Sequence, residues 1–295
     1  MQPIKKVESP YEANTGKIKI PPGKRKIQVV IEAVKENLKR VEGDGNKNNY
    51  NSKERRKDNS EILLKSIRNT ARFLKYVRNT LGTTKFDLEL LLGLLEKIKA
   101  ENLEGTKKGN NYSINFHLDT LLDPRFFHYL KEVKKTSGVH KLNFLKIELL
   151  EEKTKKPLTT EKVKQLSSVI KKLQSEGVKI GLDDFPEGVN NKDFLNSLKE
   201  NKVNINFIKL DGAKVIRFFT GKTIEGDPKT EEELTSYIKN IIDEIDPKRK
   251  NGGRDNFYIT LEGITNEEAL TWVKKELKNY VDNIQGYAVG MKEKI

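Results

Sequence analysis

The segment VIKKLQSEGVKIGLDDF at residues 169–185 combines the end of an amphipathic helix, a glycine turn and a short apolar strand that runs into two aspartates. Similar apolar segments lie on either side of it, FLKIELL at 144–150 and VNINFIKL at 203–210. Residues with helical spacing separate these segments. Strands that alternate with helices are joined by right-handed crossovers and pair in parallel. The segment therefore predicts an α/β fold with a parallel sheet.

The same alternation extends over most of the chain from residue 111. The predicted strands are 26–34, 112–116, 144–150, 177–182, 203–210, 257–261 and 282–287. The predicted helices are 61–80, 86–99, 119–134, 159–175, 191–200, 229–244 and 266–278. This many strand–helix units fit an eight-stranded barrel of the TIM type better than two small domains.

The remaining segments frame a single domain over 26–295. Residues 1–25 are polar, basic and contain proline, which predicts an N-terminal arm or hairpin. Residues 42–60, EGDGNKNNYNSKERRKDNS, are of low complexity. Such a segment cannot bury enough apolar surface to order itself, so it predicts a loop insertion in the barrel.

The composition of the 295 residues excludes several classes of function. There are 57 Lys and Arg against 43 Asp and Glu, which gives a net charge of +14. Cysteine is absent, so disulfides, thiol nucleophiles and Cys-ligated zinc are excluded, and only three histidines are present. No segment approaches the roughly 18 apolar residues of a membrane span, and the N-terminus does not resemble a signal peptide. We therefore expect a cytoplasmic protein with no membrane partner.

The positive charge is spread over separate basic tracts. These tracts are GKRK at 23–26, KERRK at 53–57, KTKK at 153–156 and DPKRK at 246–250. They alternate with acidic residues and match no known nucleic-acid-binding fold, so they are interpreted as solvated surface. Nucleic acid is not the predicted partner, although the charge suits an anionic ligand.

A polar side chain lies at or near the C-terminal end of almost every predicted strand. The set is Glu32, Asn115, Glu148, Glu151, Asp183, Asp184, Lys209, Asp211, Glu262 and Gln285. In a closed parallel barrel these ends meet on one face, where barrel enzymes place their chemistry. A single acid after a strand is more often the N-cap of the next helix. However, Glu148 and Lys209 lie inside apolar runs, where a buried charge needs a partner or a metal.

The chemistry of this set favours a hard metal ion. Carboxylate and amide oxygens are ligands for Mg²⁺ or Mn²⁺. The adjacent carboxylates of Asp183 and Asp184 repel each other unless a cation lies between them. The set exceeds the needs of one ion, so two ions are predicted, an arrangement that activates water for phosphoryl displacement. Lys209 is expected to orient the nucleophile or to neutralise developing charge. The residues alone predict a metal-dependent phosphoester hydrolase.

Six motifs, in the same order, resemble those of the EAL family of cyclic di-GMP phosphodiesterases. YSINFHLDTLLDPRFFHYL resembles the segment around the VNLS motif, LKIELLEE the LEITE segment, VIKKLQSEGVKIGLDDF the segment ending in DDFG, INFIKLDGAKVI the KID motif, ITLEGITNEEAL the AEGVE motif and IQGYAVG the QGY motif. The resemblance covers about 111–290 well and 26–100 weakly. It implies a modified TIM-type barrel whose first strand is antiparallel to the others.

The signature motif of the family has three candidate positions. We place it at 31–34 with Glu32 as its acid, because KIQVVIEAV is apolar and β-branched. One rival, Tyr11-Glu12-Ala13, has the right letters without an apolar strand before it. In the other, ANTGKI at 13–18 resembles the turn before the motif, which would put Pro22 in place of the glutamate.

The resemblance implies a role for each candidate residue. Glu32, Asn115, Glu148 and Asp183 would hold one metal ion, and Asp183, Asp184 and Glu262 the second. Lys209 would contact the attacking water, and Gln285 would support the site. Glu151 resembles the acid that steadies the loop after the aspartate pair. Asp211 and Lys35 complete the set of candidate substrate-side or supporting residues.

The predicted function is hydrolysis of cyclic di-GMP to linear pGpG by a water that two Mg²⁺ or Mn²⁺ ions activate. Some residues depart from the family pattern. Glu36 stands where the family has a phosphate-binding arginine, with Lys35 beside it. Pro186 and Glu187 replace a glycine-rich turn, and Thr265 replaces the second acid of AEGVE. These departures keep an alternative open, a catalytically degenerate domain that binds cyclic di-GMP as a receptor or binds a regulatory protein partner. Members of the family often form dimers, so the resemblance implies that the chain can form a homodimer.

Overall fold

The structure is a computed structural model, and it describes residues 11–12, 17–18, 38–43, 59–64, 82–100, 111–150, 158–249, 253, 255 and 257–286. The strands are β1 (Tyr11–Glu12), β2 (Lys17–Ile18), β3 (Leu38–Gly43), β4 (Asn59–Leu64), β5 (Asn111–Phe116), β6 (Leu145–Leu149), β7 (Lys179–Phe185), β8 (Phe207–Leu210), β9 (Tyr258–Leu261) and β10 (Asn283–Ile284). The helices are α1 (Thr83–Ala100), α2 (Leu118–Leu122), α3 (Phe126–Ser137), α4 (Thr160–Ser175), α5 (Lys192–Glu200), α6 (Ala213–Phe219), α7 (Glu231–Ile245) and α8 (Glu267–Glu276).

The strands β3 to β10 form one sheet in which strand order follows chain order. The order is β10-β9-β8-β7-β6-β5-β4-β3, and each neighbouring pair from β4 to β10 is parallel. Within the described residues the sheet is open, with β10 and β3 at its edges. The short strands β1 and β2 form a separate antiparallel pair. The predicted α/β class with a parallel sheet is confirmed.

The chain divides into two compact units. The first comprises 1–41, 62–105 and 123–140, and the second comprises 42–61, 106–122 and 141–295. In the first unit α1 packs against α3. The second unit contains β5 to β10 together with α2 and α4 to α8. The predicted division into an arm over 1–25 and a single domain over 26–295 stays a prediction.

Most side chains of β5 to β9 are buried, on both faces of the sheet. All of β8 is buried, and Ile147, Ile180, Ile208 and Ile259 expose 1% or less of their surface. A strand covered on both faces is a nearly continuous apolar run, which is why the sequence shows these strands as short apolar segments between helical ones. Against this background a charged side chain in a strand requires a partner.

Side-chain caps fix where the long helices begin. Thr159, Asn191, Thr230 and Asn266 precede α4, α5, α7 and α8, and each accepts a hydrogen bond from the backbone amide three residues later. Such caps satisfy amides that the helix itself leaves unpaired. The predicted starts of these helices therefore agree with the structure to within two residues. Among the described residues, no helix has the length and apolar character needed to cross a membrane.

The structure corrects two predicted helices. The helix predicted over 61–80 is wrong at its start, because Asn59–Leu64 is strand β4 and pairs with β5. The apolar run in this segment is short, and pairing with the neighbouring strand decides its conformation. The helix predicted over 119–134 is divided into α2 and α3. Pro124 disfavours helical backbone at Asp123, whose carboxylate accepts a hydrogen bond from the Arg125 amide.

Other predicted segments lie partly or wholly outside the described residues. The strand at 26–34 is outside them, as are residues 44–58 of the predicted loop insertion. Residues 42–43 and 59–60 of that insertion belong to β3 and β4. Helix α6 (Ala213–Phe219) was not predicted, because its seven residues are too few to show a clear period.

A buried network of charged groups links the segments that precede β9 and β10. The Arg249 guanidinium donates to the carboxylates of Asp246 and Asp282 at 2.8 Å and 2.7 Å. It also donates to the backbone carbonyls of Phe257 and Tyr280. The Arg249 side chain is fully buried, so the interpretation of DPKRK as solvated surface is wrong at this residue. Four acceptors around one guanidinium explain how a charge inside this tract is accommodated.

Candidate metal centre

Lys209 lies at the centre of a buried cluster of carboxylates. Its Nζ is 2.7 Å from Glu262 Oε1, 2.9 Å from Asp183 Oδ1 and 3.1 Å from Glu148 Oε2. The side chains of Lys209, Glu148, Asp183 and Glu262 expose 6%, 4%, 8% and 20% of their surface. The structure thus brings together four of the residues that the sequence singled out. Each charge inside an apolar strand has an opposite charge as its partner.

The sheet explains why these residues meet. Glu148, Asp183 and Lys209 lie on the consecutive strands β6, β7 and β8, and Glu262 directly follows β9. Glu148 is paired in register with Asn115 of β5 on the other side. Because the strands are parallel neighbours, their C-terminal ends meet along one edge of the sheet. Residues more than a hundred positions apart in the chain thereby become one site.

Asp183 and Asp184 contribute to this edge together although they are adjacent in the chain. Regular strands point successive side chains to opposite faces. Here the register between β7 and β8 shifts between Leu182 and Phe185, and Asp184 has a positive φ of 50°. This irregularity lets Asp183, Asp184 and Glu262 each offer an oxygen, with the three atoms within 4.8 Å of one another. The arrangement suits a cation held between carboxylates.

Asn115 offers a further ligand on the neighbouring strand. Its Oδ1 atom is buried, and no hydrogen-bond donor in the described part of the chain reaches it. A buried carbonyl oxygen without a partner is costly, and a hard cation is one way to satisfy it. The oxygen ligands of this edge therefore fit Mg²⁺ or Mn²⁺, the ions that the carboxylates and the amide predict.

The surroundings of Glu262 change the pKa of its carboxyl group. The pKa of its carboxyl group is raised to about 7. Burial is the largest cause, the ammonium of Lys209 opposes the rise, and the carboxylates of Asp183 and Glu148 add to it. This pKa brings proton exchange at the carboxyl group close to neutral pH. A cation bound beside it would favour its charged form.

Asn190 is a buried residue that the sequence analysis missed. Its Nδ2 donates to the backbone carbonyl oxygens of Leu149 and Asp183, both at 2.7 Å. These carbonyls belong to the ends of β6 and β7, the strands that carry Glu148 and Asp183. Asn190 therefore ties the two strand ends together. In the sequence it stands in a turn just before the Asn191 cap, where an asparagine carries no distinguishing signal.

The remaining predicted residues have other positions or lie outside the described residues. Asp211 Oδ1 accepts from the backbone amide of Ala213 at 2.9 Å, so it forms the turn into α6. The backbone of Gln285 links the ends of β9 and β10. Its backbone N–H donates to the Leu261 carbonyl, and its backbone carbonyl accepts from the Ile264 N–H. Outside the described residues are Glu32, Lys35, Glu36, Glu151 and the rival position Pro22. Of the rival Tyr11-Glu12-Ala13, only residues 11–12 are described, as β1.

The backbone beside Glu262 is held by a close approach of two glycines. A Cβ atom on Gly212 would overlap the backbone carbonyl of Glu262, and one on Gly263 would lie 2.6 Å from the Gly212 carbonyl oxygen. Gly263 also has a φ of +80°, which favours glycine. The loops after β8 and β9 can therefore touch only because both residues lack a side chain.

We expect Gly212→Ala to lower both stability and the activity of the site, because the new methyl group must push the Glu262 backbone away. Overpacking of this kind costs about 1–3 kcal/mol. Gly221→Ala is the control, since Gly221 has a φ of +67° and open space around its Cβ position. That variant should lose stability through backbone strain and keep kcat/KM below its unfolding temperature. Equal activity in the two variants would show that the close approach does not position Glu262.

Comparisons with known proteins show which family the chain resembles. The family model described as EAL domain matches residues 60–240. A search of curated protein sequences finds no match. Among solved structures, the chain is similar to the EAL enzyme Bd1971 bound to cAMP and cyclic di-GMP, with 17% identity and a TM-score of 0.58. That match covers 90% of this chain but 64% of Bd1971, so the chain spans less than two thirds of that protein.

Further solved structures resemble most of the chain. The PaMucR phosphodiesterase in complex with cyclic di-GMP is 12% identical with a TM-score of 0.59, and the match covers 90% of this chain and 96% of that one. The FimX EAL domain from Pseudomonas aeruginosa bound to cyclic di-GMP is 14% identical with a TM-score of 0.56, with coverages of 89% and 94%. At these identities the likeness shows the fold, which confirms the predicted EAL-like, TIM-type architecture. Since the family model also matches more than half of the sequence, the chain belongs to the EAL domain family.

Proposed function

We propose that the protein is a metal-dependent phosphodiesterase that opens cyclic di-GMP to linear pGpG in the cytoplasm. The observation that carries this proposal is the buried cluster in which Lys209 contacts Asp183, Glu148 and Glu262 at the edge of an EAL-type sheet. Similar folds in solved structures hold cyclic di-GMP, and one of them is described as a phosphodiesterase. The ligand chemistry of the cluster supports Mg²⁺ or Mn²⁺.

In this proposal the chain supplies the ligands and the charge balance. Asp183, Asp184 and Glu262 would hold one ion between their carboxylates, and Glu148 and Asn115 would be among the ligands of a second. When bound, the ions lower the pKa of a water and stabilise charge on the phosphate. Hydrolysis would join the oxygen of water to one phosphorus and break the bond from that phosphorus to the ribose 3′ oxygen, which would leave as a hydroxyl group with a proton from the water. Lys209 places a positive charge beside the nucleophile, and Asn190 keeps the ends of β6 and β7 in place.

The test is incubation of the full chain with cyclic di-GMP and either Mg²⁺ or Mn²⁺, followed by ion-pair chromatography. We expect pGpG to form with a divalent ion and not in EDTA. If no pGpG forms with either ion, even at high enzyme concentration, the phosphodiesterase proposal is wrong.

The alternative is a domain that binds cyclic di-GMP without turnover, and three departures from the family pattern favour it. Pro186 and Glu187 stand where the family has a glycine-rich turn, and Glu36 stands in place of an arginine. Calorimetry with cyclic di-GMP separates the outcomes. Binding without hydrolysis would identify a receptor, and absence of both would point to a domain whose partner is a protein.

A further inference from the structure

The carboxylates of Asp183 and Glu262 face two competing partners, the ammonium of Lys209 and a potential metal site. Asp183 and Glu262 form ion pairs with the ammonium of Lys209, at 2.9 Å and 2.7 Å. The same two residues, with Asp184, offer oxygens within 4.8 Å of one another that suit a cation. We propose that Lys209 and a divalent cation compete for Asp183 and Glu262, so that Lys209 is a built-in cation that weakens metal binding. The inference rests on the proposed function only for the nature of the ion.

The charges of the cluster support competition. Glu148, Asp183 and Glu262 are acidic, and the ammonium of Lys209 lies within 3.1 Å of a carboxylate oxygen of each. Burial makes the interaction between these charges much stronger than it would be in water. A divalent ion that binds Asp183 and Glu262 would therefore meet both a positive charge beside it and carboxylates that already have a partner.

The side chain of Lys209 suits an exchange of this kind. An ammonium group has three donors, enough for one bond to each of the three carboxylates. The ammonium is a compact charge on a flexible side chain. It can therefore keep its contact with Glu148 while it gives up the carboxylate oxygens of Asp183 and Glu262. A planar, more rigid guanidinium lacks this freedom. The same Lys209 then serves two purposes, since it balances the buried acids and yields to an ion.

Replacement of the ammonium by a neutral side chain of similar length isolates this effect. Lys209→Met leaves the carboxylates of Glu148, Asp183 and Glu262 without their shared cation. Lys179→Met is the matched control, because Lys179 is exposed at the N-terminal start of β7, the opposite end of the strand from Asp183. Both variants change the net charge equally, so general attraction of cations to the protein changes equally in both.

The experiment is calorimetric titration of Mn²⁺ into the full-length wild type and both variants, without nucleotide. We expect Lys209→Met to bind Mn²⁺ at least about tenfold more tightly than wild type, and Lys179→Met to match wild type. The rise in Tm at saturating Mn²⁺ should also be largest in Lys209→Met, because tighter binding to the folded state stabilises it more. Equal or weaker Mn²⁺ binding in folded Lys209→Met would overturn the competition.

Two further outcomes complete the test. If Lys209→Met folds only when Mn²⁺ is present, the ion replaces the ammonium and the proposal is supported. If the variant stays unfolded with Mn²⁺, the ion cannot take the place of Lys209 and the proposal fails. The proposed function is tested separately by the hydrolysis assay, since wild type that binds Mn²⁺ without hydrolysing cyclic di-GMP contradicts only that function. Absence of Mn²⁺ binding in every variant would contradict both.

Discussion

Asp183→Asn is expected to reduce kcat/KM for cyclic di-GMP by about a thousandfold or more. Asp183 forms an ion pair with Lys209 and also lies among the carboxylates that suit a cation. The asparagine has nearly the same shape but no charge, so it weakens both contacts where charge develops during phosphoryl displacement. Initial rates of pGpG formation at saturating Mn²⁺ measure the effect.

The control for Asp183→Asn is the same change at an exposed position. Asp193 lies in the first turn of α5 and is exposed to solvent. Asp193→Asn should keep the wild-type rate, which separates the loss of a particular carboxylate from the loss of one negative charge. Thermal unfolding of both variants checks that each is folded. A folded Asp183→Asn variant with a rate near wild type would contradict the assignment of the site.

Arg249→Met is expected to give the largest loss of stability, about 3–5 kcal/mol in the free energy of unfolding. Its guanidinium is fully buried between Asp246 and Asp282 and also donates to the carbonyls of Phe257 and Tyr280. The methionine fills part of the space but leaves two buried carboxylates without their cation. Urea denaturation at neutral pH measures the change.

The neighbouring residue provides the control for Arg249→Met. Lys248 is also cationic and pairs with Asp255, but its side chain is 67% exposed. Exposed ion pairs contribute little to stability, so Lys248→Met should unfold close to the wild-type midpoint. If Arg249→Met unfolds at the same midpoint as Lys248→Met, the buried network does not stabilise the ends of β9 and β10.

The sequence predicts those parts of the fold whose signal is local. Helix caps such as Thr159 and Asn266 mark helix starts, and buried strands such as β8 are continuous apolar runs. Lys209 and Glu148 are conspicuous because a charge interrupts such a run. In the structure Lys209 and Glu148 form an ion pair with each other.

The parts that sequence analysis missed depend on contacts between distant segments. Arg249 looks like one more cation in a basic tract, and only the packing of the segments before β9 and β10 buries it. Asn190 looks like an ordinary turn residue until the ends of β6 and β7 bring two carbonyls to its amide. Strand β4 is too short for its pattern to exclude a helix, and pairing with β5 determines its conformation.

The most direct test of the phosphodiesterase proposal is a single-turnover reaction in ¹⁸O-labelled water, with the full-length protein in excess over cyclic di-GMP and Mn²⁺ present. Mass spectrometry of the product reports where the oxygen of water goes. The account predicts pGpG with one ¹⁸O atom on its terminal 5′-phosphate, and no product from Asp183→Asn on the same timescale. Cyclic di-GMP that remains intact in the wild-type reaction, with Mn²⁺ and with Mg²⁺, would contradict it.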